Sequence, residues 1–434
     1  MIKNEFIAKI EGHGSLDIDL TKKKAELKVL EGERLFEGIL VGRPAKDAPW
    51  ITARICGVCP IAHNLASLKA VEAAFGIVPN KTTVLLRKLM VASQIIQSHA
   101  LHLFFLALPD YLGLDSGLEL AKKNPGAFKA ALTLKGISDE ISYVVAGREV
   151  HPTTTAVGGF NKIPHKKTLK DLLKKLDKNI NSALIAVNVC GKIKYPKYDV
   201  DLEFVSQTGG KDYPGYDSAE IISSKGGPTS QILSQIREEV EPPKIGPTSG
   251  TSIKNYKDDI QEEIRKNSTA KFSKYKKREV MVGALARLAT HQDYLAPVCK
   301  KYLKEIDFKN PFYNNFAQAV EILHFYQKAR EIIEILLQEE PDLRIISPSN
   351  HPPLKGIGAV EAPRGGLYHE IHLNDKGKII FANIITPTVQ NLTSIEKSVQ
   401  AVLSQSPKIS SAEAQRLIEM LIRAYDPCIT CAVH

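Results

Sequence analysis

Four of the six cysteines fall into two Cys-x-x-Cys pairs, Cys56-Gly57-Val58-Cys59 and Cys428-Ile429-Thr430-Cys431. Such a turn brings two sulfurs close enough to hold one metal. Two turns supply four thiolates, whose softness selects zinc, iron, copper(I) or nickel over magnesium or calcium. Three chemistries are open at this point. A structural zinc site is the plainest, but zinc ribbons place their pairs roughly 15–20 residues apart, and these pairs lie at opposite ends of the chain. A redox dithiol uses one pair and leaves the other idle. A catalytic metal centre that ties the two ends together uses both. Cys190 and Cys299 stand alone in helix-like surroundings and read as core residues.

Other residues near these pairs could take part in chemistry, and each has a plainer reading. Glu11 lies beside Lys9 and suits a salt bridge. His63, four residues after Cys59, suits a structural role in an early helical turn. Arg364 lies on a Pro-Gly turn and suits the surface. The stretch Gly356-Ile357-Gly358-Ala359 lacks the third glycine and the following amphipathic helix of a dinucleotide fingerprint.

If the two pairs share one metal, whatever lies between them must fold the ends together. Residues 16–20 and 25–30 alternate with period two around the charged turn 21–24 and predict a hairpin. Residues 61–75 and 83–108 have helical spacing, the second run stopped by Pro109. Residues 127–147 and 168–189 also read as helices. Residues about 191–255 are rich in Gly, Pro, Ser, Asp and Tyr and predict an irregular insertion with short strands. Helices are expected again over 278–306 and 315–337, the second apolar on most faces and therefore central. A second hairpin, 367–373 and 378–385, flanks Asn374-Asp375-Lys376-Gly377. The last helix opens on a capping box, Ser410 to Glu413, and ends at Asp426-Pro427. The expected fold class is α+β, mainly α: a helical core with small antiparallel sheets at its edges. With no repeat or clear linker, one domain over 1–434 is expected.

Composition narrows the function classes. Hydrophobic residues at 43% and charged residues at 24% exclude wholesale disorder and a fibrous chain. A net charge of +10 raises nucleic acid, an anionic membrane or an acidic partner. The lysine bursts (Lys166-Lys167, Lys174-Lys175, residues 271–278) are mixed with acids and lack interleaved aromatics. That argues against nucleic acid and for a solvated surface. The N-terminus has no apolar signal core. No run of about eighteen apolar residues is seen, so no bilayer crossing is expected. A cytoplasmic chain is the resulting expectation.

The flanks of the cysteine pairs carry a family likeness. Arg54-Ile55-Cys56-Gly57-Val58-Cys59-Pro60, with His63, Ala66 and Ser67, and Asp426-Pro427-Cys428-x-x-Cys431-x-x-His434 resemble the two metal-binding signatures of nickel–iron hydrogenase large subunits. Ile10-Glu11-Gly12-His13 resembles the family's N-terminal Glu-Gly-His box, and Phe36-Glu37-Gly38 its acidic segment. Glu361-Ala362-Pro363-Arg364-Gly365 resembles its Ala-Pro-Arg-Gly loop, and Thr386-Pro387-Thr388 with Asn391 its Pro-Ser/Thr element. The likeness spans residues 10 to 434.

The resemblance implies reversible splitting of dihydrogen at a nickel–iron centre whose iron carries carbon monoxide and cyanide. Cys56 and Cys428 are then terminal ligands on nickel, and Cys59 and Cys431 bridge to iron. Cys428 is the first base, Glu11 relays the proton, and Arg364 places a positive group over the open metal site. His63 donates towards a bridging sulfur, and Pro387 and Thr388 contact cyanide, Thr388 through its hydroxyl. Glu37, the carbonyl of Ile384 and His434 form a second site for magnesium or iron. His99, His102 and Asp110 resemble the long helix beside the site, although Ser98 stands where many relatives carry an acid. His434 matches the end left when many relatives lose a C-terminal extension.

Once the four cysteines are used, too few remain for an iron–sulfur cluster, which generally takes four. The resemblance therefore implies a small subunit with a proximal iron–sulfur cluster, docked near Arg43, residues 151–160 and the second cysteine pair. The chain resembles the family's soluble, multisubunit bidirectional type. There, diaphorase-type or ferredoxin-linked subunits pass electrons to NAD(P) or ferredoxin. Two other classes compete. One is the quinone-site subunit of proton-pumping NADH dehydrogenase, which shares the fold but lacks the cysteines. The other is a structural-zinc binding module.

Overall fold

The computed structural model describes residues 2–4, 6–210, 212–225 and 250–434. The chain opens with a three-stranded antiparallel sheet, β1 (Ile2–Asn4), β2 (Gly14–Asp19) and β3 (Lys24–Val29). Leu16 pairs with Leu27 and Ile18 with Ala25, so the period-two pattern puts Leu16, Ile18 and Leu27 on one buried face. A short helix, α1 (Phe36–Leu40), then leads to the first cysteine pair.

Helix α2 (Pro60–Phe75) starts directly after Cys59, with proline in its first turn and Gly76 closing it in the left-handed region at φ 66°. Helix α3 (Lys81–Leu101) is capped by Asn80, whose side chain accepts from the Thr83 amide at 2.8 Å. Helices α4 (Pro125–Ala146) and α5 (Lys166–Gly191) follow. On α5, Leu169, Leu172, Leu176 and Ala183 are buried while Lys167, Lys170, Lys174 and Lys178 face water, so this burst of positive charge is a solvated face.

Pro109 does not stop the long helix. After α3 the chain widens into a π-helical stretch, His102–Ala107, and resumes as Leu108–Leu112. The wider turn shifts the carbonyl that the proline ring would otherwise meet, so Pro109 sits in the first turn of the next segment. The span Lys81–Leu112 is, by length and composition alone, long and apolar enough to cross a membrane. Its most apolar window is nevertheless 83% buried among neighbouring helices, as in a soluble core.

The insertion carries β4 (Val205–Thr208) paired with β5 (Glu220–Ser223), and a two-residue strand, Thr251–Ser252, pairs with the other edge of β5. The rest of the predicted insertion, 226–249, lies outside the described residues. The expected helix over 278–306 is instead broken. It contains α6 (Ala284–Thr290), a further turn at Pro297–Lys300 and irregular links. Gly283 at φ 110° sets the start of α6, and Pro297 begins the next turn.

Helix α7 (Asn314–Gln338) is central, packing on α3 and α5, while α4 packs on both of these as well. Strands β6 (Lys355–Ala362), β7 (Gly365–Leu373) and β8 (Ile379–Ile385) form an antiparallel sheet, and only its last two strands were legible as a hairpin. β6 lies directly on α2. A Cβ at Gly356 or Gly358 would come 2.0 Å from the carbonyl of Ala70 or Ala66, so these glycines serve packing. Helices α8 (Pro387–Gln405) and α9 (Ser411–Ala424) complete the core, α9 with the expected Ser410/Glu413 capping box.

Candidate metal centre

The sheet and α2 deliver the chemistry to one place. β6 runs antiparallel to α2, so its end at Ala362 reaches the α2 N-terminus, where Cys59 sits. β8 ends at the same edge, because Tyr368 near the start of β7 pairs with Ile385. Cys56 is extended after a helical turn, and its Sγ accepts from the Val58 amide at 3.2 Å. The C-terminal pair is held by the N-terminal arm. The Ile429 amide donates to the Glu11 carbonyl at 2.9 Å, and the Thr430 amide donates to Glu11 Oε2 at 3.1 Å. Gly12, at φ 83°, permits this contact, since a Cβ there would fall 2.8 Å from Ile429 Cβ.

All four sulfurs are buried and lie within 4.8 Å of one another. Across the ends, Cys56 Sγ is 3.4 Å from Cys428 Sγ and Cys59 Sγ is 3.1 Å from Cys431 Sγ. Burial pushes the thiols of Cys428 and Cys431 well above the ordinary range. Hydrogen bonds from Cys428, Cys431 and Cys59, with the positive charge of Arg364, hold Cys56 well below it. Four converging soft donors suit a thiolate-bound transition metal.

The neighbouring groups fit the same occupant. Arg364 is buried, not on the surface; Nε donates to the Asp426 carbonyl at 2.7 Å and Nη2 to Asp426 Oδ1 at 2.8 Å. Its Nη1 is buried without a partner, as is the hydroxyl of Thr386. Thr388 Oγ1 accepts from the Cys428 amide at 2.9 Å, which leaves its own proton free to donate. Pro387 is the first residue of α8, between these two threonines. Glu11 Oε2 lies 3.0 Å from Cys428 Sγ. The plainer Glu11–Lys9 pair is absent among the described contacts, and Lys9 binds Asp110 at 2.6 Å instead. His63 is buried and held down at about 3, so its ring is neutral. Its Nε2 lies 3.7 Å from Cys431 Sγ, and its Nδ1 lies 3.2 Å from His369 Nε2.

A second group of donors converges next to this cluster. His434 Nδ1 donates to the Cys431 carbonyl at 2.8 Å, and its Nε2 lies 2.8 Å from the Ile384 carbonyl and 3.9 Å from Glu37 Oε1. Glu37 Oε1 accepts from the Ile384 amide at 2.7 Å and from Asn383 Nδ2 at 3.1 Å, which places its carboxylate beside His434. A carboxylate, a backbone carbonyl and an imidazole are the donor types that suit a hard divalent cation.

Other predicted residues lie further out. His99 Nε2 contacts Glu321 Oε2 at 2.8 Å, and His102 Nδ1 contacts Gln318 Oε1 at 2.5 Å. Ser98 Oγ is buried without a partner. Asp110 ties Lys9 to Arg423 rather than facing the cysteines. Cys190 and Cys299 are core residues whose thiols burial pushes up to about 12. Arg43 and Arg54 line a groove of about 770 Å³ with Phe36, Trp50 and residues 155–157. The groove's far wall is pinned from behind, as the Gly158 amide donates to Glu72 at 2.7 Å and Arg87 donates to the Ala156 carbonyl at 3.1 Å. Sequence reasoning passed over Asp426 as the Arg364 partner, His369 behind His63, and Arg287. For Asp426 a signal existed, since it directly precedes the second cysteine motif.

A buried four-thiol site closed by both ends of a mainly helical chain defines a thiolate metal-binding protein, with its donors drawn from the whole fold. A family profile described as nickel-dependent hydrogenase matches residues 34–133 and 234–434. The chain is 32% identical to sulfhydrogenase 1 subunit alpha of Pyrococcus furiosus, covering 99% of this chain and 97% of that protein. It is 28% identical to the NAD-reducing hydrogenase HoxS subunit beta of Cupriavidus necator, over 99% and 93% of the two chains. A crystal structure of an NAD+-reducing [NiFe]-hydrogenase in the H2-reduced state superposes with a TM-score of 0.82 at 23% identity, covering 100% of this chain and 99% of that one, which shows the fold. The chain belongs to the nickel-dependent hydrogenase family, whose members are oxidoreductases acting on hydrogen. Membership replaces the structural-zinc reading, and the four cysteines separate the chain from the quinone-site relatives.

Proposed function

We propose that this chain is the catalytic subunit of a cytoplasmic hydrogenase that reversibly splits dihydrogen and sends electrons to iron–sulfur clusters on a small partner subunit. From there they pass to NAD(P) or ferredoxin on diaphorase-type or ferredoxin-linked subunits. One observation carries the reading: four sulfurs from opposite ends of the chain lie within 4.8 Å of one another, with the Glu11 carboxylate 3.0 Å from Cys428.

Cys56 and Cys428 would hold nickel terminally, and Cys59 and Cys431 would share it with an iron carrying carbon monoxide and cyanide. When bound, that centre supplies heterolytic cleavage of dihydrogen and a store for its electrons. The chain's own residues manage charge and protons. Cys428 Sγ accepts a proton and hands it to Glu11 Oε2, whose position the Thr430 amide fixes. Arg364, whose charge acts on Cys428, Cys59 and Cys56 and whose Nη1 has no protein partner, would serve as a fixed positive donor. The Thr388 hydroxyl, held by the Cys428 amide, keeps a proton that it would donate to a cyanide of the bound centre. His63 orients Cys431 from behind. Glu37, the Ile384 carbonyl and His434 would hold magnesium or iron beside the C-terminal cysteine turn.

The groove beside Arg43, Trp50 and residues 155–157 suits the small subunit, since it offers exposed apolar and cationic groups one short turn from Cys56. Support for NAD as acceptor comes from the relative named NAD-reducing. The chain is read as one catalytic unit, because residues 11 and 428 are in contact. The test supplies the purified complex with dihydrogen and, in turn, NAD+, NADP+ and ferredoxin. Hydrogen-dependent reduction of at least one is expected, and no reduction of these or of a dye contradicts the reading.

A further inference from the structure

Arg364 reaches the cysteines from a turn that a second, deeper arginine grips. Arg287, in α6, is fully buried, and all five of its N–H groups are used. Nε donates to Glu321 Oε1 at 2.7 Å, and Nη2 to Glu321 Oε2 at 2.7 Å. Nη1 donates to Glu361 Oε2 at 2.8 Å. The remaining two donors go to backbone: Nη1 to the Ala362 carbonyl and Nη2 to the Pro363 carbonyl, each at 2.9 Å. Those are the two carbonyls directly before Arg364.

The start of α6 braces the same turn. A Cβ at Gly283 would come 3.2 Å from the Arg364 carbonyl, and one at Gly365 would come 2.5 Å from Val282 Cγ2. The Val282 amide donates to Asn391 Oδ1 at 2.9 Å, and the Leu285 amide donates to Asn314 Oδ1 at 2.9 Å. Asn314 Nδ2 in turn donates to the Ala424 carbonyl at 2.7 Å, two residues before Asp426. The break that interrupts the expected helix at Gly283 is therefore what lets α6 abut the Arg364 turn.

We propose that Arg287 is the positioning residue for Arg364. It clamps the backbone before Arg364 while Asp426 clamps the side chain through Nε and Nη2, which leaves Nη1 as the guanidinium nitrogen without a protein partner. This inference rests on the reading that Arg364 faces the nickel–iron centre. A lysine at 287 cannot replace the clamp, because one ammonium cannot span two carboxylates and two carbonyls.

The test compares Arg287→Lys, Gly283→Ala and Arg364→Lys in the purified complex, with nickel and iron content measured in each. Gly283→Ala removes no side-chain partner of Arg287; it strains the backbone at the start of α6, at φ 110°, and presses on the Arg364 carbonyl. For Arg287→Lys and Gly283→Ala, unchanged metal content is expected. Turnover should fall about 10–100-fold, the usual effect of disturbing an outer-shell partner, with the KM for dihydrogen unchanged. The infrared bands of the iron-bound carbon monoxide and cyanide should shift in the same direction in both. Unshifted bands and normal turnover in Gly283→Ala overturn the proposal, even where Arg287→Lys fails to accumulate. If Arg364→Lys changes bands and turnover while the other two do not, the clamp fails alone. If Arg364→Lys changes nothing, the reading of Arg364 fails with it.

Discussion

The carboxylate of Glu11 and the thiol of Cys428 stand 3.0 Å apart, although 417 positions separate them in the chain. The contact is backed by main-chain bonds between the same two segments, so the distance is fixed by backbone and not by a loose side chain. Glu11→Gln keeps the size and removes the proton acceptor. Hydrogen/deuterium exchange should fall by about 10²–10⁴-fold, the usual value of a positioned proton-transfer group, with nickel and iron still bound. Unchanged exchange would remove Glu11 from the relay.

Arg364→Lys should lose turnover by about 10²-fold or more, the scale of losing one fixed donor at a site of developing charge. Lysine keeps the charge but cannot hold the Asp426 carbonyl, Asp426 Oδ1 and the metal-facing direction at once. Near-normal turnover would exclude the guanidinium from the mechanism.

Much of this site was legible because its residues sit inside dense local motifs. The cysteine turns, the Glu-Gly-His box and the Ala-Pro-Arg-Gly loop each place a side chain by local backbone geometry. The remainder depends on long-range packing. Nothing near Arg287 indicates that it meets carbonyls 75 and 76 residues away. The π-helical turn at His102 overrides the local rule that Pro109 should end a helix. β6 was missed because two glycines break its pattern, yet those glycines are what seat the strand on α2.

Removing the second cation should separate from removing the first. Glu37→Gln weakens the only carboxylate in the group that includes the Ile384 carbonyl and His434. Elemental analysis should show the magnesium or additional iron lost, with nickel retained in chains already matured. Retention of that ion at wild-type stoichiometry would dismiss the second site.

Glu370 gives the fold an acid-sensitive point. Burial alone would raise its carboxyl, but hydrogen bonds from Lys257, His372, Lys355 and Tyr256 outweigh that and hold it at about 2, against an ordinary 4.5. Because the folded value is the lower one, its stabilising contribution is complete above about 4.5 and is lost as pH falls towards about 2. Glu370→Gln should flatten the acid limb of stability against pH by close to one proton. An unaltered slope in unfolding titrations would contradict this.

The central claim is that the four cysteines hold nickel and iron together. Elemental analysis of the purified complex, combined with its infrared spectrum, tests it most directly. One nickel and one iron at this site per chain, with absorption bands from carbon monoxide and cyanide, is the predicted result. Stoichiometric zinc without nickel, and no such bands, would contradict it.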